Sequence, residues 1–79
     1  MSQIIGSIEL FAFERNIEGW MPCDGRTLKV MEHQPLYSLL GVTYGGDGRT
    51  FFALPNYKAP QKGMRYCIAV EGEYPPISS

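Results

Sequence analysis

Between Tyr44 and Arg49 the chain sets three glycines around one aspartate, Gly45-Gly46-Asp47-Gly48, and then turns at once to Phe51-Phe52-Ala53-Leu54-Pro55. Glycine reaches positive φ at little steric cost, yet it gives up more conformational entropy on folding than any other residue. Three glycines in four positions therefore mark a backbone path closed to residues with a Cβ. Such a path either cradles a ligand or shapes a tight loop. The apolar run behind it supplies an anchor for the second alternative.

The length narrows the choice. Seventy-nine residues make one domain, 1–79, and a chain near this size buries only about 60% of the surface of its unfolded form. Help usually comes from disulfides, a metal or a partner subunit. Hydrophobic residues are 44% and aromatic ones 13%, enough for a core, while charged residues are 19%, below the ~25% of typical soluble domains. That thin polar cover favours an oligomer. The net charge is -1 and the pI about 5.7, with Arg15, Arg26, Lys29, Arg49, Lys58, Lys62 and Arg65 scattered rather than striped. A duplex-binding module shows a basic face, so nucleic acid is not the expected partner. No apolar run approaches the ~18 residues of a membrane helix. The N-terminus lacks the basic start and apolar core of a signal peptide. The expectation is a protein made in the cytoplasm, with Cys23 and Cys67 as reduced, buried thiols.

Along the chain, residues 4–13, "IIGSIELFAF", are rich in β-branched and aromatic residues on both parities. The pattern predicts a strand buried on both faces, or covered by a neighbouring subunit. Asp24-Gly25 is a type I′ hairpin signal, with flanking strands at 20–23 and 26–30; Pro22 places the first at an edge. Leu36, Leu39 and Leu40 fall at i, i+3 and i+4 and predict a helix over 32–40. Pro35 lies in its first turn, Gly41 suits its C′ position, and Met31 is a poor N-cap. Residues 42–62 read as mostly loop with a short extended piece at 51–54. Residues 64–70, "MRYCIAV", alternate around Tyr66, Ile68 and Val70 and read as a closing strand. The fold class is α+β: β-rich, with one short helix and long ordered loops.

Catalysis finds no support in these residues. His33 is the lone histidine, and no spacing gives it a nucleophile, an orienting group and an oxyanion site. Cys23 and Cys67 lie in strands, where nothing lowers a thiol pKa. The phosphate-loop pattern needs Lys and Ser/Thr after its last glycine and then a helix, whereas Arg49-Thr50 leads to an extended run. Asp47 lacks the further oxygen donors of a calcium loop. No metal or cofactor is expected. Asp24 and Asp47 each precede a glycine, where Asp bonds back to its own turn. Arg26 and Arg49 each follow two residues later, which leaves a cross-pair between the two loops open. One ligand reading stands beside the structural one: Trp20, Asp47 and Arg49 lining a pocket for a sugar or nucleotide.

The runs "GSIELFAF", "GWMPCDGRTL" and "QPLYSLLGVTYGGDGRTFFALPNYKAP" resemble the phage tail collar domain, the family of short tail fibre proteins and microcystin-dependent proteins. The family's run is a strand, G-W-x-x-C-D-G-x-x-L, a Q-x-L-[FY]-S-L-L-G helix, and T-Y-G-G-D-G-x-T-x-F-x-L-P-[DN]. Nearly all of it stands here between Ile5 and Pro60, and "YCIAVEG" resembles the family's C-terminal strand. Trp20, Cys23, Asp24, Gly25, Gly45, Gly46, Asp47, Gly48, Phe52, Leu54 and Pro55 match as structural motif residues. The resemblance implies a non-enzymatic structural or attachment module of a phage tail or tail-like particle, made in the bacterial cytoplasm. It also implies assembly as a homotrimer beside other tail proteins. Two departures stand out. The long variable region before the closing strand, a receptor-binding part in the family, shrinks here to about Gln61 and Lys62, and the helix lacks a polar cap at Met31.

Overall fold

The computed structural model describes residues 3–76. Its longest strand, β5 (Arg65–Ala69), runs between two others, β1 (Ile8–Phe11) and β2 (Trp20–Pro22), antiparallel to both. Cys67, Ile68 and Ala69 are all at or below 1% exposure, so β5 is covered on both faces. The expected alternation gives way to full burial, as the middle strand of a small sheet requires. Pro22 indeed lies on an edge strand, opposite Cys67, where its missing N–H leaves no gap in an inner ladder.

A second, two-stranded sheet pairs β3 (Thr27–Lys29) with β4 (Phe51–Ala53), Leu28 facing Phe52. Between them in the chain come a 3-10 turn, Val30–Glu32, and the helix α1 (Gln34–Leu40). The helix is thus shorter than the leucine spacing predicts. His33 departs from helical geometry at φ -138° and ψ 47° and offers no side-chain cap, so Glu32 stays in the 3-10 turn. Leu36 is fully buried, while Leu39 and Leu40 pack against the core from its margin. Gly41 ends the helix at φ 57°, its N–H donating to Tyr37 O at 2.7 Å. The positive φ suits the glycine placed there, but Gly41 is the C-cap with ψ -141°, so the expected left-handed C′ stop does not form.

Two strand expectations are corrected. Asp24-Gly25 is not a hairpin tip. Gly25 has φ 82° but among the described residues no non-glycine residue, Asp24 included, has positive φ, whereas a type I′ turn needs it at both central positions. The segments on either side find distant partners instead: β2 joins β5 and β3 joins β4. The turn itself is zipped to residues 54–57 by Gly25 N–H to Pro55 O (3.1 Å), Leu54 N–H to Arg26 O (2.8 Å) and Tyr57 N–H to Cys23 O (2.9 Å). The strand read over 4–13 is also shorter and wetter than its composition predicts. Gly6, at φ 91°, breaks it after Ile5, and within the chain alone Ile8 and Leu10 are each 37% exposed and Phe13 44%.

The first and last parts of the described chain, near residues 3–5 and 73, meet. Ile5 N–H donates to Glu73 O at 2.9 Å, Glu73 N–H donates to Gln3 O at 2.8 Å, and Ile4 and Glu73 form a parallel bridge.

The core gathers Ile5, Cys23, Leu28, Leu36, Phe52, Leu54, Ile68 and Val70 from both sheets and the helix. Phe52 is its largest wholly buried side chain. Phe52→Ala is expected to destabilise the fold by about 3–5 kcal/mol through the cavity it leaves. Chemical denaturation of the two proteins measures the difference.

Candidate functional site

Residues 42–56 fold back over the core as a clasp. Gly45, Gly46 and Gly48 have φ of 130°, 108° and 70°, all in territory that L side chains avoid. Gly46 bridges Phe52, and a Cβ built on Gly46 falls 2.5 Å from Phe52 Cα and 2.6 Å from Phe51 O. Those neighbours are backbone and cannot swing away. Ala53 N–H donates to Gly45 O at 3.0 Å and Gly48 N–H to Phe51 O at 3.3 Å, so the loop lies along the side of β4 away from β3.

Asp47 holds the tip. One oxygen, Oδ1, accepts the N–H groups of Arg49 (2.9 Å), Thr50 (2.8 Å) and Phe51 (3.1 Å). These bonds, that from Arg49 first, draw the carboxyl below its ordinary pKa of 3.8. From the helix, Tyr37 Oη donates to Gly48 O at 3.0 Å, and its ring packs 5.4 Å from that of Phe52. Phe52, Leu54 and Pro55 lie wholly inside, but Phe51, on the opposite face of β4, is 39% exposed. The anchor is therefore Phe52 and Leu54, without Phe51.

The second turn closes on itself in the same manner. Asp24 Oδ1 accepts the Arg26 N–H at 3.1 Å, and the guanidinium binds the carboxylate through Nε–Oδ1 at 3.1 Å and Nη2–Oδ2 at 3.0 Å. The Arg26 side-chain hydrogen bond is the main influence holding Asp24 below the usual carboxylate range. The cross-pair between the loops does not form, because each aspartate is occupied within its own turn. Among the described residues Asp24–Arg26 is the one salt bridge.

The residues read as lining a ligand pocket come from different elements. Trp20 sits half-buried on β2, edge-on to Phe11 at 5.3 Å, while Asp47 and Arg49 are exposed on the clasp. Cys23, just past the end of β2, and Cys67, on β5, are buried free thiols. Burial foremost, then the nearby Cys67, pushes the Cys23 thiol up to about 11, which leaves it protonated and a poor nucleophile at neutral pH. Among the described residues no group of three or more His, Cys, Asp or Glu is placed to hold a metal, and no helix is long and apolar enough to cross a membrane.

One set of residues was not legible beforehand. A cleft of about 280 Å³ brings the Asp24–Arg26 turn beside Asn56, Tyr57, Arg65 and Tyr66. Arg65 Nη2 donates to Arg15 O at 2.7 Å and Asn16 Oδ1 at 3.3 Å, while its buried Nε has no partner. No local motif signals this grouping, because it depends on β5 passing next to residues 22–26.

Comparison with known proteins agrees with this architecture. The family model for the phage tail collar domain matches residues 6–60, a span that holds the clasp, the helix and both aspartate turns. Protein RhiB of Rhizobium leguminosarum bv. viciae is 41% identical over 44 residues, 52% of this chain and 20% of that protein. The chain thus spans about a fifth of that relative's length.

The clasp makes two expectations. Gly46→Ala should lower stability by more than the roughly 1–2 kcal/mol of a left-handed non-glycine residue, since the added methyl also meets backbone. Because Asp47 has its pKa lowered by folding, its contribution is whole above its ordinary pKa of 3.8 and is lost as pH falls through the lower folded value. Asp47→Ala should therefore lower the melting temperature at pH 7 and flatten its fall on acidification below about pH 4. Thermal melts across pH 2–7 check the second expectation, and denaturant titration the first.

Proposed function

As the chain belongs to the phage tail collar domain family, we propose that it is a non-enzymatic structural or attachment module of a phage tail or a phage-derived tail-like particle. The reading continues that it forms one domain over 1–79, is made in the bacterial cytoplasm, assembles as a homotrimer and is built in beside other tail proteins. The observation that carries it is the family match, which covers the stretch that forms the helix, the clasp and β4.

The geometry supports a scaffold in a second respect. The residues matching the family motif serve as turn, clasp and core: Gly25 and Asp24 shape one loop, Gly45 to Gly48 the other, and Cys23, Phe52, Leu54 and Pro55 are buried beneath them. Trp20 packs edge to face against Phe11.

A second copy of the chain has a place to bind. β1 is an edge of its sheet, so alternate backbone N–H and C=O groups along it point away from β5. Natural proteins usually blunt such an edge. Here Ile8, Leu10 and Phe13 stand exposed on or beside it, with Glu9 as the one charge within the strand. A single chain of this size gains from covering that surface, and in a closed trimer the contact is heterologous, each copy's β1 meeting a different face of its neighbour.

Light scattering of the purified protein at tens of micromolar concentration is expected to give the mass of a trimer. Leu10→Lys should shift that mass toward the monomer while circular dichroism stays unchanged. A wild-type monomer under these conditions overturns the assembly reading.

A further inference from the structure

The clasp, the turns and the core account for most motif residues, but not for the cleft beside Arg65. It lies where residues 56–58 leave the body of the domain and Arg65 and Tyr66 return, around a turn closed by Met64 N–H to Gln61 O at 3.3 Å. Two guanidinium groups line it. That of Arg26 is neutralised by Asp24, whereas Arg65 is held by a carbonyl and an amide oxygen and meets no carboxylate. The lining thus carries one positive charge in excess, on a half-buried arginine whose bonds run through Nη2 alone. A partly buried charge is screened less than a surface one.

The other wall is aromatic. Tyr57 and Tyr66 meet edge to face with ring centroids 6.1 Å apart. Both also line an adjoining apolar groove with Ile8 and Lys58, so the tyrosine pair stands between a cationic cleft and an apolar shelf. A volume of about 280 Å³ is at the small end of ligand sites, which run from about 300 Å³ upward. It suits one ring rather than a chain.

We propose that this cleft binds a small organic carboxylate borne on a six-membered ring, with the carboxylate directed to Arg65 and Arg26 and the ring laid against Tyr57 and Tyr66. Asp24 engages Nε and Nη2 of Arg26, and residues 15 and 16 engage Nη2 of Arg65. The carboxylate therefore takes a single Nη1 donor from each arginine, a charge-assisted bond on either oxygen, and tyrosine offers an apolar face with a polar tip for ring substituents. Asn56, on the rim, supplies amide donors and acceptors for the same substituents. The proposal goes beyond the tail reading and does not depend on it, since each protomer holds every residue named.

Titration followed by NMR chemical shifts tests it on the full chain with four probes: glucuronate and benzoate as ring carboxylates, glucose as a neutral ring, and inorganic phosphate as an anion without a ring. Millimolar binding of a ring carboxylate is expected, at least tenfold tighter than glucose and phosphate. Which of glucuronate and benzoate binds better identifies the ring as saccharide or aromatic. Arg65→Gln should weaken binding about tenfold. Because Arg65 also tethers residues 15 and 16, the exposed substitutions Arg26→Gln and Tyr57→Ala provide the second test, and each should weaken binding with little change in melting temperature. Phosphate binding as tightly as the ring carboxylates, with Tyr57→Ala silent, overturns the proposal in favour of an unspecific anion contact. No shift from any ring carboxylate at ten millimolar, or binding unmoved by all three variants, overturns it outright. A monomeric protein that still binds would separate its fate from that of the assembly reading.

Discussion

The approach of the Gly46 backbone to β4 is the contact on which the rest of this small protein depends. Only a residue without a side chain lets two backbone segments come this close, with no room for a methyl group between Gly46 and Phe52 Cα. Because they do, Phe52 is roofed by the loop, flanked by Leu28 across the β3–β4 pair and capped by Tyr37 from the helix. Neither sheet has enough strands to bury a ring of that size unaided. The loop is a working layer of the core, and its polar tip, Asp47, supplies with one oxygen the backbone acceptors that a longer strand would otherwise provide.

β5 plays the matching part in the other sheet. Its burial on both faces ties β1 and β2 into one unit although neither pairs with the other. It also carries Arg65 and Tyr66 to the turn at Asp24. Scaffold and cleft thus share a strand: the same path that protects Ile68 at the centre sets a cationic side chain at the rim.

How much of this could be read in the sequence follows from how local each interaction is. The Asp47 turn and the glycine at the helix end were legible because each rests on contacts within a few residues. The extended piece read over 51–54 was marked by its apolar run and becomes a strand over 51–53 by pairing with β3. The helix was placed correctly by its leucines and missed only at its start, where His33 departs from the period without a cap. Asp24-Gly25 misled because the dipeptide reports a turn and nothing about which strands its flanks will join; the ladder to residues 54–57 is a long-range choice. Residues 4–13 signalled burial through their composition, and a single chain leaves much of that surface open. The pocket read from Trp20, Asp47 and Arg49 gains no support, since Trp20 lies on β2 and the other two on the clasp, and residue type alone does not say which element carries it. The cleft beside Arg65 left no trace in the sequence, its members being brought together by the β2–β5 register.

The pairing of Gln3 and Ile5 with Glu73 has a bearing on architecture. A domain whose entry and exit strands lie side by side is closed like a buckle: a polypeptide can run into it, through the whole fold and out again at nearly the same spot. Such a unit can be spliced into a surface loop of a host protein without prying the host apart, because the loop need span only the gap between two adjacent strands. Here that gap is set by the hydrogen bonds at 2.8 and 2.9 Å between residues 3–5 and 73. A Cβ on Gly72, 2.1 Å from Gln3 O, would wedge the junction open. The smallest residue in the tail of the chain is thus what keeps the fold modular.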